Sequence, residues 1–62
     1  MSAEDSLQRA EELMERLEQQ RARLEGTSDP ETAIEVLTEL AELAKEVEAA
    51  LSQAKRQADA DA

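Results

Sequence analysis

Gly26 and Pro30 are the only glycine and the only proline in the chain, and they stand four residues apart near its middle. On both sides the sequence is rich in good helix formers, and its apolar residues recur at spacings that alternate between three and four. A chain with one interruption between two such stretches is restricted to two helices joined by one short link. A link of a few residues folds the second helix back along the first. The expected fold is therefore all-α, an antiparallel two-helix hairpin. Residues 1–62 form a single unit: helix 1 over about 3–25, a turn at 26–29, helix 2 over about 30–57 and a frayed tail at 58–62.

The boundaries carry local signals. Ser2 can cap a first turn that holds Glu4 and Asp5, the charge a helix N-terminus favours. Gly26 is the natural left-handed stop for helix 1. At the second start, Pro30 presets the backbone of a first helical position, keeps Asp29 out of the helical region, and leaves the Asp29 carboxylate to cap the amides that follow.

In helix 1 the alternating stripe is Ala3, Leu7, Ala10, Met14, Leu17 and Leu24, with Arg21 in one slot. In helix 2 it is Ala33, Leu37, Leu40, Ala44, Val47, Leu51, Ala54 and Ala58. With the turn centred near residue 27, facing residue numbers sum to about 54 in an antiparallel hairpin. Leu17 then faces Leu37, Met14 faces Leu40, Ala10 faces Ala44, and Leu7 faces Val47. The expected hairpin core is Leu7, Ala10, Met14, Leu17, Leu37, Leu40, Ala44, Val47 and Leu51. Arg21 falls opposite Ala33, with room for its stem to run outward to water.

A second apolar set lies beside that stripe: Leu13 on helix 1, and Ile34, Val36, Ala41, Leu43 and Ala50 on helix 2. A hairpin covers one stripe per helix, so this set is the expected oligomer or partner interface. A core of this size contributes only roughly 3–5 kcal/mol by itself. The chain has no Cys and no His, which removes disulfides and the usual metal staples. The simplest closure is a homodimer of hairpins, an antiparallel four-helix bundle.

The chemistry of catalysis has few materials here. Without His or Cys, and with Ser2 and Ser28 at caps and Ser6 and Ser52 on helix surfaces, no nucleophile and base can be assembled. One glycine cannot build a phosphate-cradling loop. No catalytic, cofactor-binding or metal residue is assigned, no cofactor is expected, and the chain is not read as an enzyme. A formal charge of -9, with no aromatic residue, argues against direct nucleic-acid binding. The apolar runs are too short for a membrane span or a secretory leader, so the expected location is cytoplasmic.

Two charged features remain. Glu31, Glu35, Glu39, Glu42 and Glu46 follow one another at spacings of four and three, an acidic ridge on the outer face of helix 2 relieved by Lys45 alone. Arg9, Arg16 and Arg23 recur every seven residues on an outward stripe of helix 1, among acids that can pair with them.

On helix 2, Ala33-Ile34-Glu35-Val36-Leu37, followed by Leu43, Lys45, Val47, Leu51 and Ala54, resembles the second helix of the small subunit of bacterial exodeoxyribonuclease VII. Leu24-Glu25-Gly26 is similar to the Leu-Glu-x-Gly that precedes it, one residue shorter. The likeness spans Leu24 to Ala54, with Leu37, Leu40 and Val47 where that family has Phe, Gly and Cys. It implies a noncatalytic helical accessory subunit that binds a large, DNA-cleaving subunit through its apolar stripe.

Overall fold

The computed structural model describes residues 2–61 and contains two helices, α1 (Ala3–Gly26) and α2 (Pro30–Asp61), packed side by side as a hairpin. The molecule is a rod of 49 × 14 × 13 Å. At 1.5 Å per residue, the 24 residues of α1 cover about 36 Å, so the 32 of α2 overhang it by about 12 Å.

Each helix begins as its sequence predicts. The Ser2 hydroxyl accepts from the Asp5 amide at 3.2 Å and the Asp5 carboxylate accepts from the Ser2 amide at 3.3 Å, a reciprocal capping box. At α2, Asp29 Oδ2 accepts from the Thr32 amide at 3.2 Å and from the Thr32 hydroxyl at 2.7 Å, while Pro30 occupies the first helical position. The Thr32 side chain, and then its amide, hold the Asp29 carboxyl below the ordinary carboxylate range. A depressed folded-state value means that the cap stabilises the fold above the unfolded value of about 3.9 and is lost as pH falls through the lower, folded value. An Asp29→Asn variant is thus expected to melt below the parent at neutral pH. That gap should close below about pH 4 as the parent's own cap is protonated; a gap constant from pH 7 to 2 would contradict the cap assignment.

The helix ends depart from expectation. Gly26 is helical and no described residue has a positive φ; α1 instead stops where Thr27 turns extended (φ -96°, ψ 142°) and its amide bonds back to the Leu24 carbonyl. The short link can reverse the chain without a left-handed residue. A Cβ at Gly26 would meet nothing within 4 Å. Gly26→Ala is therefore expected to stabilise the hairpin by about 0.5–1 kcal/mol, read as a raised midpoint of thermal unfolding; a lowered midpoint would restore the left-handed role. The expected fray at 58–62 is also revised: α2 stays helical through Asp61, and residue 62 lies outside the described residues. The end is anchored because Ala54 is buried and the Ser6 hydroxyl donates to Gln57 Oε1 at 2.8 Å.

The core follows one heptad on each helix. Labelling the repeat a to g, with a and d facing the neighbour, α1 supplies Ala3, Ser6, Ala10, Leu13, Leu17, Gln20 and Leu24. The α2 set is Ala33, Val36, Leu40, Leu43, Val47, Ala50, Ala54 and Gln57. All of these are buried or half-buried, and apart from Thr27 and Thr32 at the link no other residue with a described side chain is. Ala10, Leu13 and Ala50 form the centre, with Leu43 and Val47 packed against them. Facing numbers sum to about 60, as for Leu13 with Val47, rather than 54.

This corrects the expected core. Ala10, Leu17, Leu40 and Val47 belong to it, but Leu7, Met14, Leu37, Ala44 and Leu51 are exposed. Of the set expected to be left over, Leu13, Val36, Leu43 and Ala50 are core residues, whereas Ile34 and Ala41 are exposed. The a residues serve both solutions; the structure pairs them with d rather than e, a turn of each helix by about 50°. The charges explain the choice. With a and d in the seam, the g positions line one side of it: Arg9, Arg16 and Arg23 on α1 against Glu39 and Glu46 on α2. Arg9, Glu46 and Gln53 share the lining of one cleft there. Turning to a and e would instead bring the b positions Glu4, Glu11, Glu18 and Glu25 toward Ile34 and Ala41, setting charge against apolar surface.

Candidate protein interface

In an antiparallel pair the two e rows lie together on the side of the seam opposite the g rows. Here they are Leu7, Met14 and Arg21 on α1, and Leu37, Ala44, Leu51 and Ala58 on α2. The b row of α2 widens the strip with Ile34 and Ala41. Among the described residues the large exposed apolar side chains are Leu7 (47%), Met14 (46%), Ile34 (63%), Leu37 (52%) and Leu51 (44%), and all five sit at these e and b positions. They form one face, not a scatter.

The register sets its layers. The Ser6–Gln57 bond near one end and the Leu13 cluster at the middle bring Leu7 level with Leu51, Met14 with Ala44 and Arg21 with Leu37. Arg21 closes the strip near the link. Its guanidinium donates to Glu18 (Nε to Oε2 2.9 Å, Nη2 to Oε1 2.7 Å) and to Glu25 (Nη1 to Oε2 2.8 Å). The Arg21 fork lowers the Glu18 carboxyl and is itself held protonated by both partners. All three groups are exposed, so the cluster adds little to stability. What it changes is the rim, since a single cation answers the two carboxylates flanking the apolar strip there.

The acidic ridge is placed differently from its expected outer face. Glu39 and Glu46 stand on the g row across from the arginines, Glu35 and Glu42 on the neighbouring c row, and Glu31 on the f row at the start of α2; all are exposed. Glu39, Glu42 and Glu46 line a shallow groove with Leu43 and Lys45. No group of three or more acidic side chains among the described residues is arranged to hold a metal ion.

No sign in the apolar pattern alone separated this face from the core. The signal that does so is the charge at the flanks: Arg at every g of α1, Glu at every b. One polar core atom stands out, the Gln20 Oε1 near the link, which is buried without a hydrogen-bond partner in the described structure. No described helix is long and apolar enough to cross a membrane. Comparison with family models, curated proteins and solved structures returns no match.

Proposed function

We propose that this chain is a noncatalytic interaction module that associates with a second copy of itself through the e and b face, closing a four-helix bundle. The observation that supports this reading most directly is the gathering, among the described residues, of every large exposed apolar side chain on one flank of the hairpin. Each is already about half covered. Removing the remainder from water is worth roughly 4–7 kcal/mol per chain, comparable with the roughly 3–5 kcal/mol of a core this small.

The geometry suits a copy of the same chain. The face shared by both helices is about 36 Å long and about 14 Å wide. That is on the order of 500 Å² per copy before side-chain relief is counted, near the roughly 1,000 Å² total at which specific interfaces begin. A two-fold axis makes one such face complementary to itself. Sedimentation equilibrium over a micromolar to millimolar range tests the reading. A mass twice 6.8 kDa, dissociating on dilution, is expected. A folded monomer at the highest concentration would overturn it and leave the face to a different protein, the accessory-subunit reading.

A further inference from the structure

We infer that the two hairpins pair with their Thr27–Asp29 links at the same end of the bundle, so that α1 of one copy lies on α2 of the other. The inference rests on the self-association proposed above. Two closed arrangements bring the apolar faces together. Rotating one copy about an axis along the rod sets α1 on the partner's α2 with the links together. Rotating it about an axis across the rod sets α1 on the partner's α1 and α2 on the partner's α2, with the links apart.

The charges at the rim distinguish them. On α1 the b row is acidic along its whole length: Glu4, Glu11, Glu18 and Glu25, all exposed. On α2 the b row runs from apolar at the link, Ile34 and Ala41, to charged at the far end, Glu48 and Lys55. With links apart, the two acidic rows meet each other: Glu4 comes level with the partner's Glu25 and Glu11 with the partner's Glu18, each contact made twice. Leu7 is set on the partner's Arg21, and Ile34 on the partner's Lys55. No opposite-charge contact compensates between the b rows.

With links together, Glu4 comes level with the partner's Lys55, also twice. The like-charge contact that remains is Glu11 with the partner's Glu48. Leu7 meets the partner's Leu51, Met14 the partner's Ala44 and Arg21 the partner's Leu37, so a leucine faces Arg21 in both arrangements and the b rows are what separate them. The two carboxylates that come nearest Ala41 and Ile34 of the other copy are Glu18 and Glu25, the pair that Arg21 already bridges at 2.7 and 2.8 Å, which halves their net charge. The ion cluster therefore stands at the end of α1 where an acidic rim would otherwise press on the most exposed apolar residue of the face, Ile34 at 63%. Like charges across an interface select against the arrangement that juxtaposes them.

The absence of cysteine makes the test direct. Ser28→Cys introduces one thiol in the link, where Ser28 is exposed, and a nitroxide placed there reports the separation of the two links by pulsed dipolar spectroscopy. Links at one end are one or two helix spacings apart, about 10–20 Å and below about 30 Å with the label arms. Links at opposite ends, with Glu4 level with the partner's Glu25, are separated by the 24 residues of α1 and the link, about 40 Å. A short distance is expected. A distance of about 40 Å in a sample sedimenting as a dimer would overturn this arrangement alone, and a sample sedimenting as a monomer would overturn both it and the self-association.

Discussion

Leu13→Glu is expected to abolish the helical fold: far-UV circular dichroism at room temperature should lose most of its helical signal. Leu13 is 2% exposed at the centre of the seam, in the cluster with Ala10 and Ala50. Truncating a buried leucine to alanine already costs about 2–5 kcal/mol, which is the scale of everything a core of this size contributes. A carboxylate at the same place adds the desolvation of a charge with no cation in that layer, since Val47, Leu43 and Ala50 surround it. Val36, fully buried, is expected to behave the same way when replaced by glutamate. Leu7→Glu supplies the contrast. Leu7 is larger than its neighbour Ser6 and belongs to the expected core, yet it is 47% exposed, so the hairpin should tolerate a charge there. Retained helicity in Leu13→Glu together with lost helicity in Leu7→Glu would restore the other rotation of α1.

That contrast also shows where the sequence is legible. Two helices, their link and both caps can be read from Ser2, Asp29 and Pro30, because a cap is a contact between residues three apart and needs no tertiary information. Which face turns inward is different. On α2 both the d row, Val36, Leu43 and Ala50, and the e row, Leu37, Ala44 and Leu51, are apolar, and either one with the a row gives the alternating spacing. On α1, side-chain size favours the wrong row, since Leu7 and Met14 outrank Ser6 and Gln20. The structure keeps Ser6 inside because Gln57 accepts its hydroxyl proton, a bond between residues 51 apart in sequence. The flanking charges carry the missing information. The rotation that a count of apolar residues leaves degenerate is the one that sets the basic row of Arg9, Arg16 and Arg23 on the same side of the seam as Glu39 and Glu46.

The same degeneracy gives the interface its sharpest test, because a residue that is surplus to the hairpin can be charged without touching the hairpin core. Met14 is 46% exposed in the central layer of the e and b face, level with Ala44. Met14→Glu is expected to convert the dimer to a monomer that remains helical at low temperature. Its unfolding midpoint should fall and cease to depend on concentration, because the part of stability that comes from association is lost. The cost is large: the glutamate must either be desolvated against the partner or hold the faces apart, and a two-fold interface meets it twice. Arg21→Leu changes the same face in the opposite sense. It extends the row Leu7, Met14 and position 21 into an unbroken apolar stripe, and gives up only exposed ion pairs that add little to the fold. Self-association should tighten, though Glu18 and Glu25, no longer bridged by a cation, would make the gain larger at high salt than at low. A Met14→Glu dimer of unchanged dissociation constant, or an Arg21→Leu variant that associates more weakly at every salt concentration, would show that the second copy does not sit on this face.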